Sequence, residues 1–404
     1  MSRFPSHPNH SSPRTFAMAT RSPSMPLPSE PPVRMDIPGL GTHRRIVVFR
    51  ALQLGDMLCA VPALRAIRLG EPSARITLAG LPWAESFAAR FKEYIDDFLP
   101  FPGAPGLPEQ NTDAERLHAF ERQCQDRHFD LAVQLHGSGG YSNAVVSRMG
   151  ADRCVGFVPP PDRLPGSPRE PDEGIAHGLP WPETGSEVHR CLALTQAMGY
   201  QAWGDHLEFP LAALDYATFQ VLCDKFRLEP GRFVVVHPGS RMPSRRWPVE
   251  RFASIADKVT RLGYRVILTG GAQEREIADA LTTRAHEPIV DFCSKTSLGT
   301  LAALIAHARL LICNDTGVSH IAAALGTRSV VVACGSDVPR WAPLDTARHH
   351  VVAKYPACRP CMFHTCPYGH ECANDISVAE VMRHVQTRLN VDTRADISTG
   401  AGDR

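Results

Sequence analysis

The sequence predicts an α/β protein made of two doubly wound, Rossmann-like halves facing a cleft, and three observations carry that prediction. Short apolar runs alternate with helical stretches of about a dozen residues, the pattern of strands buried on both faces of a parallel sheet. The alternation occurs twice, restarting after Leu211. The 404 residues exceed a typical domain of ~150 by enough to build both cores.

The elements follow in order. Ile46-Val47-Val48-Phe49 is the first strand, running through Leu54-Gly55-Asp56 into a helix over 57–69. A strand over 74–79, helices over 84–91 and 115–125, and a strand over 130–135 come next. The Pro-rich stretch 158–182 reads as one long loop, which in a compact domain is functional or mobile. A helix over 186–198 closes the first half. The second half reads as a helix over 216–226, strand 233–236, helix 249–262, strand 265–268, helices 272–284 and 298–307, strand 310–313, helix 318–325 and strand 329–332. A last helix over 377–389 is expected to pack back across both halves. The expected organisation is therefore an N-terminal arm (1–42), a first domain (43–212), a second domain (213–376) with a Cys-rich loop (358–372), and a C-terminal helix and tail (377–404). The arm is rich in Ser, Pro and His and lacks apolar periodicity, so it is expected to be disordered. Its arginines, Arg3, Arg14 and Arg21, leave a transit peptide as the alternative, which its prolines oppose. Met18, Met25 and Met35 all precede the first strand, so the true start stays open.

Composition narrows the function classes. With 43% hydrophobic residues, 21% charged residues and a net charge of +1, the chain is neither mostly disordered nor a strongly basic nucleic-acid binder. No apolar run reaches the ~18 residues of a membrane span and no secretory signal opens the chain, so a cytoplasmic location is expected. Of twelve cysteines, Cys59, Cys124, Cys154, Cys191, Cys223, Cys293, Cys313 and Cys334 sit singly in apolar or helical patterns and read as reduced core residues. The other four crowd into Cys358-x2-Cys361-x4-Cys366-x5-Cys372. The first pair has zinc-knuckle spacing but the second C-x2-C is missing, which leaves open both a structural metal and a reduced or redox-labile loop beside the cleft.

Ligands of open parallel sheets bind beyond the carboxyl ends of the strands, and the notable residues lie there. Asp56 follows the first strand at a helix start, where a carboxylate either caps the helix or acts as a general base. That turn lacks G-x-G-x-x-G, which argues against a nicotinamide or flavin enzyme. Pro238-Gly239-Ser240 leads to Arg245-Arg246-Trp247-Pro248, where guanidiniums and helix N–H groups suit an anion, against the alternative of a solvated basic loop. Asp315-Thr316-Gly317, with His320, again begins a helix after a strand and suits a diphosphate, capping being the plainer role. Glu274 follows Gly270-Gly271 and could accept from ribose hydroxyls or simply favour a helix N-terminus.

Taken together, these segments resemble glycosyltransferase family 9, the bacterial heptosyltransferases of the lipopolysaccharide inner core, over about 44–381. The resemblance rests on Leu54-Gly55-Asp56 with Val61-Pro62-Ala63-Leu64-Arg65, on Gln134-Leu135-His136-Gly137-Ser138, on His237-Pro238-Gly239-Ser240 with Arg245-Arg246-Trp247-Pro248, and on Asp315-Thr316-Gly317 with His320. The Cys-rich segment also recurs in many members. The resemblance implies a GT-B fold and inverting transfer of a heptose from an ADP-sugar to a lipid-linked oligosaccharide, with no catalytic metal and no other cofactor. It further implies Asp56 as the base, and Ser240, Arg245, Glu274, Asp315, Thr316, Gly317 and His320 as donor-binding residues. Arg245 stands where the family usually has Lys. The chain has no Asp-x-Asp pair of the kind that holds a divalent ion in metal-dependent transferases. The acceptor implies peripheral contact with the inner face of the inner membrane, and no nucleic-acid partner is expected. A nucleotide-sugar 2-epimerase of the same architecture and a non-catalytic nucleotide-sugar binding paralogue are the alternatives.

Overall fold

A computed structural model describes residues 34, 35, 37, 39–159, 175 and 177–390. The first sheet contains β1 (Arg45–Phe49), β2 (Arg75–Gly80), β3 (Asp97–Pro100), β4 (Leu131–Gln134), β5 (Arg153–Val158) and β6 (His177–Pro180), in the order β3-β2-β1-β4-β5-β6. The second contains β7 (Phe233–His237), β8 (Arg265–Leu268), β9 (Ile289–Asp291), β10 (Leu310–Asn314), β11 (Ser329–Ala333) and β12 (His349–Ala353), in the order β12-β11-β10-β7-β8-β9. Every pairing is parallel. Each sheet reverses its winding once, between β1 and β4 and between β7 and β10, so each has a crevice at that switch point.

The central strands are apolar throughout because both faces are covered. On β1, Ile46 and Val48 enter one core cluster while Val47 and Phe49 enter another; on β7, Val235 and Val234/Val236 divide likewise. This is the two-residue period of a strand with helices on both sides. One cluster contains Val48 and Leu64 together with Val235, Leu311 and Ile321, so the two sheets share a continuous apolar layer.

Several expectations change. The helix expected over 57–69 begins earlier and is two helices, Leu54–Cys59 and Val61–Gly70, broken at Ala60. Pro62 falls in the first turn of the second, where its missing N–H costs nothing. The loop expected over 158–182 contains β6, which among the described residues pairs only with β5, and an edge position tolerates its Pro180. Strands β3, β5, β9 and β12 were also absent from the expected list. The helix Glu187–Ala197 is capped by Ser186, whose hydroxyl accepts from the His189 N–H at 3.1 Å. The C-terminal helix, Val378–Asn390, does not bridge the halves; it packs on β10, β11 and the helix Val249–Arg261, burying Val381, Met382, Val385 and Leu389. Of the arm expected over 1–42, residues 1–33 lie outside the described residues, but Met35 donates its N–H to the Ala197 carbonyl (2.7 Å) and Ile37 is buried. Among the described residues no helix is long and apolar enough to cross a membrane.

Candidate functional site

The helices that follow the two switch-point strands cross each other. Leu54–Cys59 after β1 packs against Gly317–Leu325 after β10. Two glycines allow the approach: a Cβ on Gly55 would lie 2.8 Å from His320 Cδ2, and one on Gly317 would lie 3.1 Å from the Gly55 nitrogen. The seam therefore brings Asp56 together with Gly317 and His320. His320 is buried against Cys59, its Nδ1 3.7 Å from the Cys59 sulfur. Burial holds its pKa below the ordinary value despite Asp315 and Glu187, so the ring is neutral.

Asp56 accepts a hydrogen bond from the Gln53 N–H at 3.2 Å. Burial raises its pKa from 3.8 to about 6; Arg50 opposes the rise and Glu187 adds to it. It is thus a carboxylate at neutral pH that keeps more basicity than an exposed one. Arg50 lies beneath it, donating Nε (3.0 Å) and Nη2 (2.8 Å) to the Asp56 carbonyl and Nη1 to the Leu135 carbonyl. Nη2 also reaches Glu187 Oε1 at 3.0 Å, and the second oxygen of Glu187 accepts from Arg340 Nε at 2.9 Å. Arg50 and Glu187 are both about 1% exposed. Burial pushes the Glu187 pKa up, but Arg50 and Arg340 outweigh it and leave the carboxyl below its ordinary value.

On the second half, buried Asn314 at the end of β10 ties two loops: its Nδ2 donates to the Pro238 carbonyl (2.7 Å) and its Oδ1 accepts from the Trp247 N–H (2.9 Å). Ser240 is buried, its carbonyl accepting from Arg246 Nε at 2.8 Å. Glu274 folds back to accept from the Gly271 N–H (2.7 Å) and lies 3.6 Å from His237 Nε2. Gly239 lies so close that a Cβ there would overlap the Glu274 carboxylate. Ser240 and Glu274 thus gather around the ends of β7 and β8. Thr316 precedes the helix Gly317–Leu325 but makes no side-chain cap, so the plain capping role does not engage it.

Arg245 is engaged by the turn after β11 and by the Cys-rich segment. Its guanidinium donates to the carbonyls of Cys334 (3.4 Å) and Cys361 and reaches the Cys361 sulfur at 3.3 Å. The Cys-rich segment is bound to this turn: Ser244 takes the carbonyls of His364 and Phe363, and His370 Nε2 lies 2.9 Å from the Ser244 carbonyl. Among the described residues no group of three or more His, Cys, Asp or Glu side chains could hold a metal ion. Cys358, Cys361, Cys366 and Cys372 are not gathered closely enough to count as such a group. Cys372 is instead drawn into the second-half core, and Cys366 Sγ accepts from the Tyr368 N–H at 3.4 Å.

Just past β4, His136 stacks on Phe49 (5.2 Å) and its Nδ1 accepts the Ala51 N–H at 3.2 Å. The proton of the neutral ring then sits on Nε2, 3.9 Å from Glu109; burial lowers the His136 pKa to about 3. Sequence reasoning missed Glu109, Glu187 and Arg340 and gave Asn314 no role. An asparagine closing an apolar strand was the one local signal; nothing near Glu187 or Arg340 marks them.

The chain is 25% identical over 315 residues to lipopolysaccharide heptosyltransferase 2 of Escherichia coli (strain K12), covering 74% of this chain and 85% of that protein. Its fold is similar to the crystal structure of the glycosyl transferase family 9 protein from Veillonella parvula DSM 2008, with TM-score 0.72, 20% identity, and 88% and 99% of the two chains covered. It is also similar to E. coli ADP-heptose lipopolysaccharide heptosyltransferase II, with TM-score 0.65, 19% identity, and 86% and 98% covered. Two parallel six-stranded sheets joined through switch-point helices are the GT-B architecture of these proteins. With the glycosyltransferase family 9 (heptosyltransferase) model matching residues 117–371, well over half of its length, the chain belongs to glycosyltransferase family 9.

Proposed function

We propose that the protein transfers a heptose or related sugar from an ADP-sugar to a lipopolysaccharide-core or similar glycan acceptor, inverting the anomeric centre and requiring no metal. In this proposal residues 43–212 take the acceptor and 213–376 the donor. The Asp56 carboxylate removes the proton of the acceptor hydroxyl, whose oxygen attacks the anomeric carbon from the face opposite ADP. The bond to the diphosphate breaks as the new glycosidic bond forms, and one displacement inverts the centre. Negative charge grows on the leaving ADP, where Arg245 and the free N–H groups at Thr316 and Gly317 offset it. Ser240, Asp315 and His320 line the donor and Glu274 accepts from its ribose. The acceptor's lipid is met by peripheral contact at the inner face of the inner membrane.

The observation that carries the proposal is Asp56, with its pKa raised to about 6, directly across the glycine seam from the helix that begins at Gly317. Membership of family 9 and the similarity to an ADP-heptose enzyme support ADP-heptose as the donor. The test is calorimetric binding of ADP, UDP and GDP and their sugars, followed by a transfer assay on the donor that binds best. ADP and ADP-heptose are expected to bind most tightly. Asp56→Ala should abolish transfer with ADP affinity nearly unchanged. More than half of wild-type turnover in that variant, or a preference for UDP or GDP, would overturn the corresponding part.

A further inference from the structure

The strongest feature outside the donor and acceptor loops is the buried chain Arg50–Glu187–Arg340. Its three members come from three separate places: the turn after β1, the first turn of the helix Glu187–Ala197, and the short helix Val338–Trp341 after β11. Arg50 and Arg340 each take a different oxygen of one carboxylate, at 3.0 and 2.9 Å. Arg190 Nη1 lies 3.7 Å from the same group, and the Arg340 guanidinium sits over the rings of Trp341 (4.6 Å) and Trp181 (5.5 Å). Removing a charge from water costs several kcal/mol, so such a chain is a weak device for stability. Its geometry serves another end: the guanidinium that Glu187 holds is the one that donates twice to the backbone of Asp56.

We propose that Glu187 is a positioning residue for transfer, holding the Asp56 turn through Arg50 and tying that turn to the donor half through Arg340. The proposal rests on the reading of Asp56 as the base. Glu187 touches neither sugar nor nucleotide in it; it aligns the base with the donor half, which matters because small displacements of a reacting group are costly to rate. The charged groups that act on Asp56 are Arg50 from its own loop, Glu187 from the first half and Arg340 from the second. Buried Cys59 and His320 are the neutral neighbours at the seam.

Opposite signs make the test specific. Glu187 raises the Asp56 pKa while Arg340 lowers it. Glu187→Gln keeps the shape and should lower the Asp56 midpoint by about one pH unit, and Arg340→Gln should raise it. Both should lower kcat at least about tenfold with the donor KM within about threefold, and Arg340→Lys should restore part of the loss. The midpoints are read twice: from the acid limb of the kcat/KM profile, and from carbon-13 carboxyl NMR of the free protein, assigned with Asp56→Asn. The NMR measurement needs no activity, so it separates this proposal from the assignment of Asp56 as base, which fails if Asp56→Asn still transfers. A melting temperature that falls in both variants while both midpoints stay put, or move the same way, would show a merely structural role and overturn the proposal. If Glu187→Gln does not fold, the two Arg340 variants, which leave the Arg50–Glu187 contact in place, decide it by the same readings.

Discussion

Replacing Asp56 with asparagine removes a charge from the seam while keeping an oxygen to accept the Gln53 N–H bond of 3.2 Å. Burial is the largest cause of the rise of this carboxyl from 3.8 to about 6. A carboxyl whose folded pKa lies above its unfolded one stabilises the fold while protonated. Its contribution is whole below about 3.8 and is lost as pH climbs through about 6. At 1.36 kcal/mol for each pH unit, the rise from 3.8 to about 6 amounts to about 3 kcal/mol. Asp56 is only partly buried, and solvent screening reduces that figure to about 1–2 kcal/mol. Asp56→Asn should therefore melt roughly 1–4 °C higher than the wild type at pH 8, with the gain shrinking below pH ~6 and gone near pH ~4. Scanning fluorimetry of both proteins across that range measures it directly. A gain of equal size at both ends, or a loss at every pH, would refute the argument that an ionised Asp56 is held in the seam at the expense of stability.

Gly55→Ala would set a methyl 2.8 Å from the buried His320 ring; overpacking of this kind costs about 1–3 kcal/mol, and an unchanged melting temperature would show that the halves separate freely. Arg245→Ala should weaken ADP binding by about 1.5–3 kcal/mol and adenosine binding much less. Because Arg245 also holds the carbonyls of Cys334 and Cys361, limited proteolysis within 358–372 should quicken; equal losses for ADP and adenosine would exclude a phosphate contact. A chain ending at Asp375 loses Val381, Met382, Val385 and Leu389 from the core and the Ile376 carbonyl that accepts from Trp247 Nε1 at 3.0 Å. Four buried side chains at about 1.5–3 kcal/mol each rival a domain's whole stability, so that chain should not fold, and a cooperative melt near the wild-type temperature would contradict the packing. A chain beginning at Met35 keeps the bond to Ala197 and should fold and transfer like the full chain; lost activity with intact folding would assign residues 1–34 to the acceptor or the membrane.

The sequence by itself determined the two α/β halves, the central strands and the loops that carry Asp56, Ser240 and Gly317. Those features are local: a strand buried on both faces must be apolar throughout, and in an open parallel sheet the functional loop must leave its carboxyl end. Edge strands were illegible for the same reason. Strands β3 (DFLP), β6 (HGLP) and β9 (IVD) are short, partly exposed and, among the described residues, paired on one side only, so no apolar run marks them. Tertiary structure alone decided the course of the C-terminal helix and the capture of Arg245 by the Cys-rich segment. It also decided the Arg50–Glu187–Arg340 chain, whose partners are 137 and 153 residues apart in sequence. Buried charge has no periodicity to betray it, because its partner is chosen by which surfaces meet when two finished sheets dock, and docking here depends on two glycines, Gly55 and Gly317, letting two helices touch.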